Sequence, residues 1–170
     1  HPLYKLAITK PLAIKVAGKK LYSTFGGAIR FFGVGGAPLA PDVEAFLKKA
    51  GFPYAIGYGL TETSPLLAGA PPFKTVLRST GPALEGVQLR LMDGEGNIVD
   101  KIGGEGEIQA KGPNIMLGYY KDEKRTEEAF SEDGWFKTGD LGAFDAKARL
   151  FIKGRLKAMI LGPSGENIYP

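Results

Sequence analysis

The pattern running through residues 29–65 constrains the fold more than any other stretch. Residues 29–34 read Ile-Arg-Phe-Phe-Gly-Val, an apolar and aromatic run that breaks into Gly-Gly-Ala-Pro, as a buried strand does on entering a loop. Pro41 then opens a helix. Asp42 and Glu44 suit its first turn, Val43, Phe46 and Leu47 fall on one face at helical spacing, and Gly51 closes it. Residues 52–56 read as the next strand. Strand, helix, strand implies a parallel α/β layer, and such layers receive ligands at the carboxyl ends of their strands. The glycine-framed segment 57–65 leaves at that end.

Upstream, residues 3–23 mix Leu, Ile, Val and Ala with lysines, with Pro2 just before them and Pro11 near their middle; the expectation is a helix. Downstream, Pro71-Pro72 and Gly81-Pro82 mark breaks, and the pattern changes. Val87, Leu89 and Leu91 alternate with Gln88 and Arg90, residues 93–97 are turn-formers, and residues 103–111 resume an extended pattern, so hairpins follow. Residues 122–130 suggest a short surface helix, and 134–155 two strands around a turn at 143–149. The expected fold class is α/β, α+β overall: a parallel strand-helix-strand layer over 1–80, a small antiparallel β-barrel over 81–156, and a separate C-terminal stretch over 157–170.

Composition narrows the chemistry. The sequence has no cysteine, which excludes disulfides and thiolate zinc sites and makes a reducing, cytoplasmic setting the expectation. Its one histidine is His1, so no interior Ser-His-Asp arrangement exists. No apolar run approaches the roughly 18 residues that span a bilayer. The net charge of +4 is lopsided: six basic residues and no acid precede Asp42, leaving the rest with 16 basic residues against 18 acidic. Two readings of that basic head stand, peripheral contact with an anionic membrane or an ordinary solvated surface. Nucleic acid is not an expected partner, because Lys and Arg are not interleaved with aromatics as single-strand binders require.

Segment 57–65, Gly-Tyr-Gly-Leu-Thr-Glu-Thr-Ser-Pro, carries the most chemistry. Gly57 and Gly59 allow the backbone close to a ligand, and Tyr58 offers a ring that can stack on a base. Thr61 can donate to a phosphate oxygen, and Glu62 suits a Mg2+ ion already bridging phosphates. A glycine-rich turn with a helix-capping pattern accounts for the same residues. Gly36, Ala37 and Pro38 lie at the carboxyl end of the earlier strand, either as a second wall of that crevice or as a routine strand-to-helix turn. Two later motifs complete the set: Trp135 to Gly142, Trp-Phe-Lys-Thr-Gly-Asp-Leu-Gly, and Lys153 to Pro170, which opens Lys-Gly-Arg and ends Ser-Gly-Glu-Asn-Ile-Tyr-Pro. Arg155 lies across a hairpin from Asp140, so both can face one ligand. Trp135 and Phe136 read as core aromatics.

In their order and intervals, these three motifs resemble the adenylate-forming superfamily, which includes acyl-CoA synthetases, luciferases and peptide adenylation domains. The resemblance runs from about Arg30 to Pro170. It implies ATP/AMP, Mg2+ and coenzyme A as cofactors, with Gly36, Ala37, Pro38, Gly57, Tyr58 and Gly59 beside the adenine and Asp140 on the ribose hydroxyls. Arg155 would join Asp140, and Thr61 and Glu62 would serve as catalytic residues, Glu62 through the metal. Lys157 matches the domain hinge, and Gly165, Glu166 and Asn167 match a loop approaching coenzyme A, although Pro163-Ser164 departs from the usual glycine pair. An aspartate capping the next turn and a surface arginine are the plainer readings of Asp140 and Arg155.

The wording of segment 57–65 and of the final motif resembles long-chain fatty acid ligases most, which implies fatty acid and CoA as substrates. The family's upstream phosphate-gripping loop and C-terminal lid lysine are not found in these 170 residues, so the chain on its own is expected to be inactive. The alternatives are a non-catalytic nucleotide-binding or interaction module, or an adenylating enzyme for aryl or amino acids.

Overall fold

The computed structural model describes residues 9–156, 160–161 and 167–168. Helix α1 (Thr9–Thr24) leads into strand β1 (Phe32–Val34), helix α2 (Pro41–Ala50) and strand β2 (Tyr54–Tyr58). Pro11 is accommodated because it sits in the first turn of α1, where backbone N–H groups have no intrahelical acceptor. The expected parallel layer is present: β1 pairs parallel with β2, with Phe32 opposite Tyr54 and Val34 opposite Ile56. Helix α2 has Pro41 at its start and ends on Gly51, whose left-handed φ of 67° lets its N–H turn back to the carbonyls of Leu47 and Lys48.

α1 packs on α2 where Gly18 meets Ala50; a Cβ on Gly18 would stand 2.8 Å from that of Ala50. Beneath them Leu47, Phe52 and Tyr54 form a buried cluster with Tyr22, Ile29 and Phe32 around it. The buried face of α2 is rotated from the expected one. Val43 is exposed, and Glu44 takes the inward position at 2 % exposure. Its carboxylate accepts from the backbone N–H of Arg78 at 2.8 Å and from the Tyr54 hydroxyl at 3.4 Å, so a buried anion ties α2 to the 75–78 loop. Glu44→Ala would leave both donors without an acceptor. It is expected to lower stability by about 2 kcal/mol, read as a shift of the denaturant midpoint at constant m.

Strand β3 (Ala68–Ala70) adds antiparallel to β2. Its sequence, Ala-Gly-Ala, has no β-branched or aromatic residue to mark it as a strand. The second unit is an antiparallel meander of β4 (Gln88–Met92), β5 (Glu105–Lys111), β6 (Phe136–Phe144) and β7 (Leu150–Arg155), in sequential order, with α3 (Glu123–Ala129) between β5 and β6. Where a small antiparallel barrel is the expectation, the described strands form a four-stranded antiparallel sheet. Its core is Leu91, Ile108 and Leu150 together with Ala68 of β3. Phe136 is buried as expected, whereas Trp135 is half-buried beneath the Arg90 guanidinium, 4.5 Å from its ring centre.

Segment 79–84 stitches the two sheets together. Gly69 donates to the Pro82 carbonyl on one side, and Leu150 and Gly81 exchange a bridge on the other. Gly81 has φ 99°, and a Cβ there would lie 2.3 Å from the Gly69 carbonyl oxygen, so no larger residue fits the seam. The seam brings the end of β2 to the middle of β6. A short antiparallel pair, β8 (Ile160–Leu161) with β9 (Asn167–Ile168), follows. Among the described residues no helix is long and apolar enough to cross a membrane.

Candidate functional site

The site is built where β2 ends beside an irregularity in β6. Glu107 pairs with Leu141 and Gln109 with Lys137, so Ile108 alone faces the three residues Thr138, Gly139 and Asp140. Thr-Gly-Asp is therefore a bulge. Each residue has a part in it: Thr138 donates to the Ile108 carbonyl at 2.7 Å and accepts from Asp140 N at 3.1 Å, while Gly139 supplies the left-handed φ of 71°. A bulge turns a side chain away from the regular pleat, and here the redirected group is the carboxylate of Asp140.

That carboxylate is 5 % exposed and holds one partner on each oxygen. Oδ2 accepts from the Tyr58 hydroxyl at 2.8 Å, and Oδ1 faces Arg155 Nε at 2.9 Å. Asp140 and Arg155 are direct partners across the β6–β7 ladder, which settles the hairpin expected from their spacing. The Arg155 side chain is 64 % exposed, so this ion pair contributes little to stability by itself. Tyr58 rests against the Ala68, Leu91, Ile108 and Leu150 core, and its burial, with the Asp140 charge beside it, pushes its phenol well above the usual tyrosine range. It donates a hydrogen bond to Asp140 and keeps its proton.

Gly35 and Gly57 stand side by side at the carboxyl ends of β1 and β2; a Cβ on Gly35 would lie 3.3 Å from the Gly57 carbonyl oxygen. Gly36, with φ 77°, Ala37 and Pro38 continue as an exposed loop at the same strand ends. Gly59 has a different reason to be glycine from the one its motif suggests. The Pro65 carbonyl oxygen lies 1.8 Å from where its Cβ would be, so the turn's own returning backbone fills that space.

Residues Thr61–Thr63 form one 3-10 turn. Thr63 is fully buried and its hydroxyl accepts from Leu60 N at 2.9 Å and reaches the Pro65 carbonyl at 2.8 Å. The capping chemistry legible in the sequence is thus present on Thr63, while Thr61 is exposed and Glu62 half-buried. The turn-and-cap reading of segment 57–65 is therefore realised on Thr63, which leaves the Thr61 and Glu62 side chains outside the capping contacts.

The segment after β5 reaches back to this turn. Asn114 Nδ2 donates to the carbonyls of Thr63 and Leu66, each at 2.8 Å, and Met116 N donates to the Glu62 carbonyl at 2.8 Å. The Tyr119 hydroxyl donates to Glu62 Oε1 at 2.9 Å; burial, then the bond to Glu62, raises its phenol above the usual value. Asn114 and Tyr119 are absent from the sequence-based expectation. Residue 119 lies 57 positions from Glu62, and no local periodicity signals such a pairing.

Among the described residues no group of three or more His, Cys, Asp or Glu side chains converges to hold a metal, so a cation near Glu62 would draw most of its ligands from phosphate and water. Lys157, Gly165 and Glu166 lie outside the described residues; Asn167 opens β9 opposite Leu161.

Known proteins resemble this chain in sequence and in fold. Residues 5–120 match the family described as AMP-binding enzyme. A chloroplastic long-chain-fatty-acid–[acyl-carrier-protein] ligase of Arabidopsis thaliana is 36% identical over 170 residues, covering 94% of this chain and 23% of that protein. Long-chain-fatty-acid–CoA ligase 1 of Saccharomyces cerevisiae is 35% identical over 150 residues, covering 88% of this chain and 21% of that one. The chain thus spans under a quarter of the length of these two relatives.

Among solved structures, the o-succinylbenzoate coenzyme A synthetase of Bacillus subtilis in complex with its acyl-adenylate intermediate superposes with a TM-score of 0.79 at 31% identity, over 92% of this chain and 32% of that one. ATP-bound MatB from Rhodopseudomonas palustris gives 0.76 at 37% identity, over 85% and 29%. Two motifs and the Lys-Gly-Arg opening of the third, carried on two stitched sheets, and a family match over most of the chain have one explanation: the chain belongs to the AMP-binding enzyme family, within the adenylate-forming superfamily.

Proposed function

We propose that this chain is the nucleotide-handling part of an ATP-dependent ligase that converts a long-chain fatty acid to its acyl-adenylate and passes the acyl group to coenzyme A. The observation that carries the reading is the trio Tyr58, Asp140 and Arg155, a buried carboxylate held between a phenol and a guanidinium at the carboxyl end of the parallel strands. The likeness to long-chain fatty acid ligases supports the substrate class.

The donor set fits a nucleotide. Each Asp140 oxygen has a lone pair beyond the one already used, and two ribose hydroxyls require two acceptors. Arg155, being mostly exposed, is the partner that can swing aside to admit the sugar and then meet the phosphate, since its planar fork keeps its charge. Tyr58 stays fixed by its bond to Asp140 and holds its ring at the strand end, next to the loop of Gly36, Ala37 and Pro38, where an adenine would stack. Thr61, exposed on the 3-10 turn, donates to phosphate, and Glu62 provides one carboxylate oxygen for a cation.

When bound, Mg2+ supplies neutralisation of the polyphosphate charge, which lowers the barrier to attack on the α-phosphorus. The attacking carboxylate is already ionised, so no general base is required of this chain. Its residues orient the nucleotide and position charge.

Lys157 is assigned here as the hinge for lid rotation, and Gly165, Glu166 and Asn167 as the loop that meets coenzyme A. Proline at 157 restricts φ to about −65°. Lys157→Pro in the full-length protein is expected to leave single-turnover pyrophosphate release in place while thioester yield from preformed adenylate falls by orders of magnitude; equal loss of both steps refutes the hinge. The function itself is tested by pyrophosphate release from the full-length protein across fatty, aryl and amino acids. Turnover greatest with long-chain fatty acids supports the reading. A preference for aryl or amino acids overturns the substrate class, and no release with any of them overturns the enzyme.

A further inference from the structure

The carboxylate of Glu62 is held from outside its own motif, in more detail than a turn requires. Segment 114–119 grips the 3-10 turn at its backbone through Asn114 and Met116, and at the Glu62 side chain through Tyr119. Tyr119 is itself fixed from α3. Its backbone N–H donates to Thr126 Oγ1 at 2.9 Å, Thr126 in turn donates to the Asp122 carbonyl at 2.8 Å, and the Arg125 guanidinium lies 4.6 Å from the centre of its ring. The chain of contacts runs from a short surface helix through a phenol to one carboxylate oxygen. Among the described residues no hydrogen bond reaches the other oxygen, Oε2.

We propose that Tyr119, braced by Arg125 and Thr126, is a positioning residue that occupies Glu62 Oε1 and so presents Oε2 alone to a divalent cation. This rests on the reading of Glu62 as the cation's ligand. An unrestrained glutamate has several rotamers and can offer either oxygen or both. Mg2+ holds six oxygens in a rigid octahedron, too tight for both oxygens of one carboxylate, so a donor on the second oxygen selects the competent one-oxygen geometry in advance. Outer partners of this kind usually contribute 10- to 100-fold in metal affinity. A tyrosine suits the task because it donates a bond without adding a charge that would repel the cation.

The experiment titrates Mg2+ calorimetrically into the full-length protein saturated with a non-hydrolysable ATP analogue, for the wild type, Tyr119→Phe, Glu62→Gln and the double variant. Tyr119→Phe keeps the ring and its stack on Arg125, and is expected to weaken Mg2+ binding about tenfold while the affinity for the analogue without Mg2+ stays within about twofold. The double variant should be no weaker than Glu62→Gln alone, since the phenol acts only through that carboxylate. Arg125→Ala, which leaves the phenol but loosens the ring, should weaken Mg2+ binding in the same direction by a smaller factor, and it carries the test if Tyr119→Phe does not fold.

Additive effects in the double variant, or unchanged Mg2+ affinity in Tyr119→Phe where Glu62→Gln weakens it, overturn the role of Tyr119 and leave the reading of Glu62 intact. Unchanged Mg2+ affinity in Glu62→Gln overturns both.

Discussion

Replacing Asp140 by alanine in the full-length protein is expected to weaken ATP binding by a hundredfold or more while the fold survives. Two charge-assisted hydrogen bonds to a ribose contribute about 1.5 to 3 kcal/mol each, and 3 kcal/mol is already about a hundredfold in dissociation constant. The structural cost is smaller. Removing the carboxylate leaves the half-buried Tyr58 hydroxyl without its acceptor and Arg155 without its partner. An unsatisfied hydroxyl costs about 1 to 3 kcal/mol, whereas Arg155 is exposed enough to be solvated. Calorimetric titration with ATP, beside a melting curve, separates the two effects. Tyr58→Phe serves as the comparison: it removes the bond to Asp140 but no acceptor for the sugar, so its loss of affinity should be several-fold smaller. Unchanged ATP affinity in a folded Asp140→Ala protein would refute the ribose assignment.

The second large effect is expected at Gly59. A methyl group there would lie 1.8 Å from the Pro65 carbonyl oxygen and 2.9 Å from Leu66 Cα, so relief requires backbone to move. The turn cannot move freely, because Thr63 ties Leu60 to Pro65 and Asn114 holds the carbonyls of Thr63 and Leu66. Gly59→Ala is expected to destabilise the full-length protein by about 3 kcal/mol, the upper end of ordinary overpacking. The same distortion displaces Thr61 and Glu62, so Mg2+-dependent ATP binding should be lost even in the fraction that stays folded. Gly36→Ala is the control. Nothing lies within 4 Å of its added methyl, so only the left-handed φ of 77° is penalised, by about 1 kcal/mol. A Gly59→Ala protein with wild-type denaturant midpoint would refute the packing role.

Much of the fold was determined by the sequence alone. Apolar runs at 29–34 and 52–56 around a proline-started, glycine-ended helix produce β1, α2 and β2, because proline and glycine terminate helices by local geometry that tertiary contacts do not alter. Alternation at 87–91 and 103–111 and the turn-formers at 93–97 likewise place β4 and β5. Asp140 and Arg155 were legible as partners, since a hairpin fixes which residues face each other.

Other features were decided only when the chain folded. The inward face of α2 turned to bury Glu44, a charged residue that pattern reading places outside, because its acceptors are needed by a loop 34 residues away. Strand β3 is formed by pairing with β2, not by any preference of Ala-Gly-Ala. The bulge that aims Asp140 depends on register between β5 and β6, which no single segment encodes. Tyr119 meets Glu62 for the same reason. Side chains far apart in sequence are brought together by the packing of whole elements, and local periodicity carries information only about a residue's nearest neighbours along its own helix or strand.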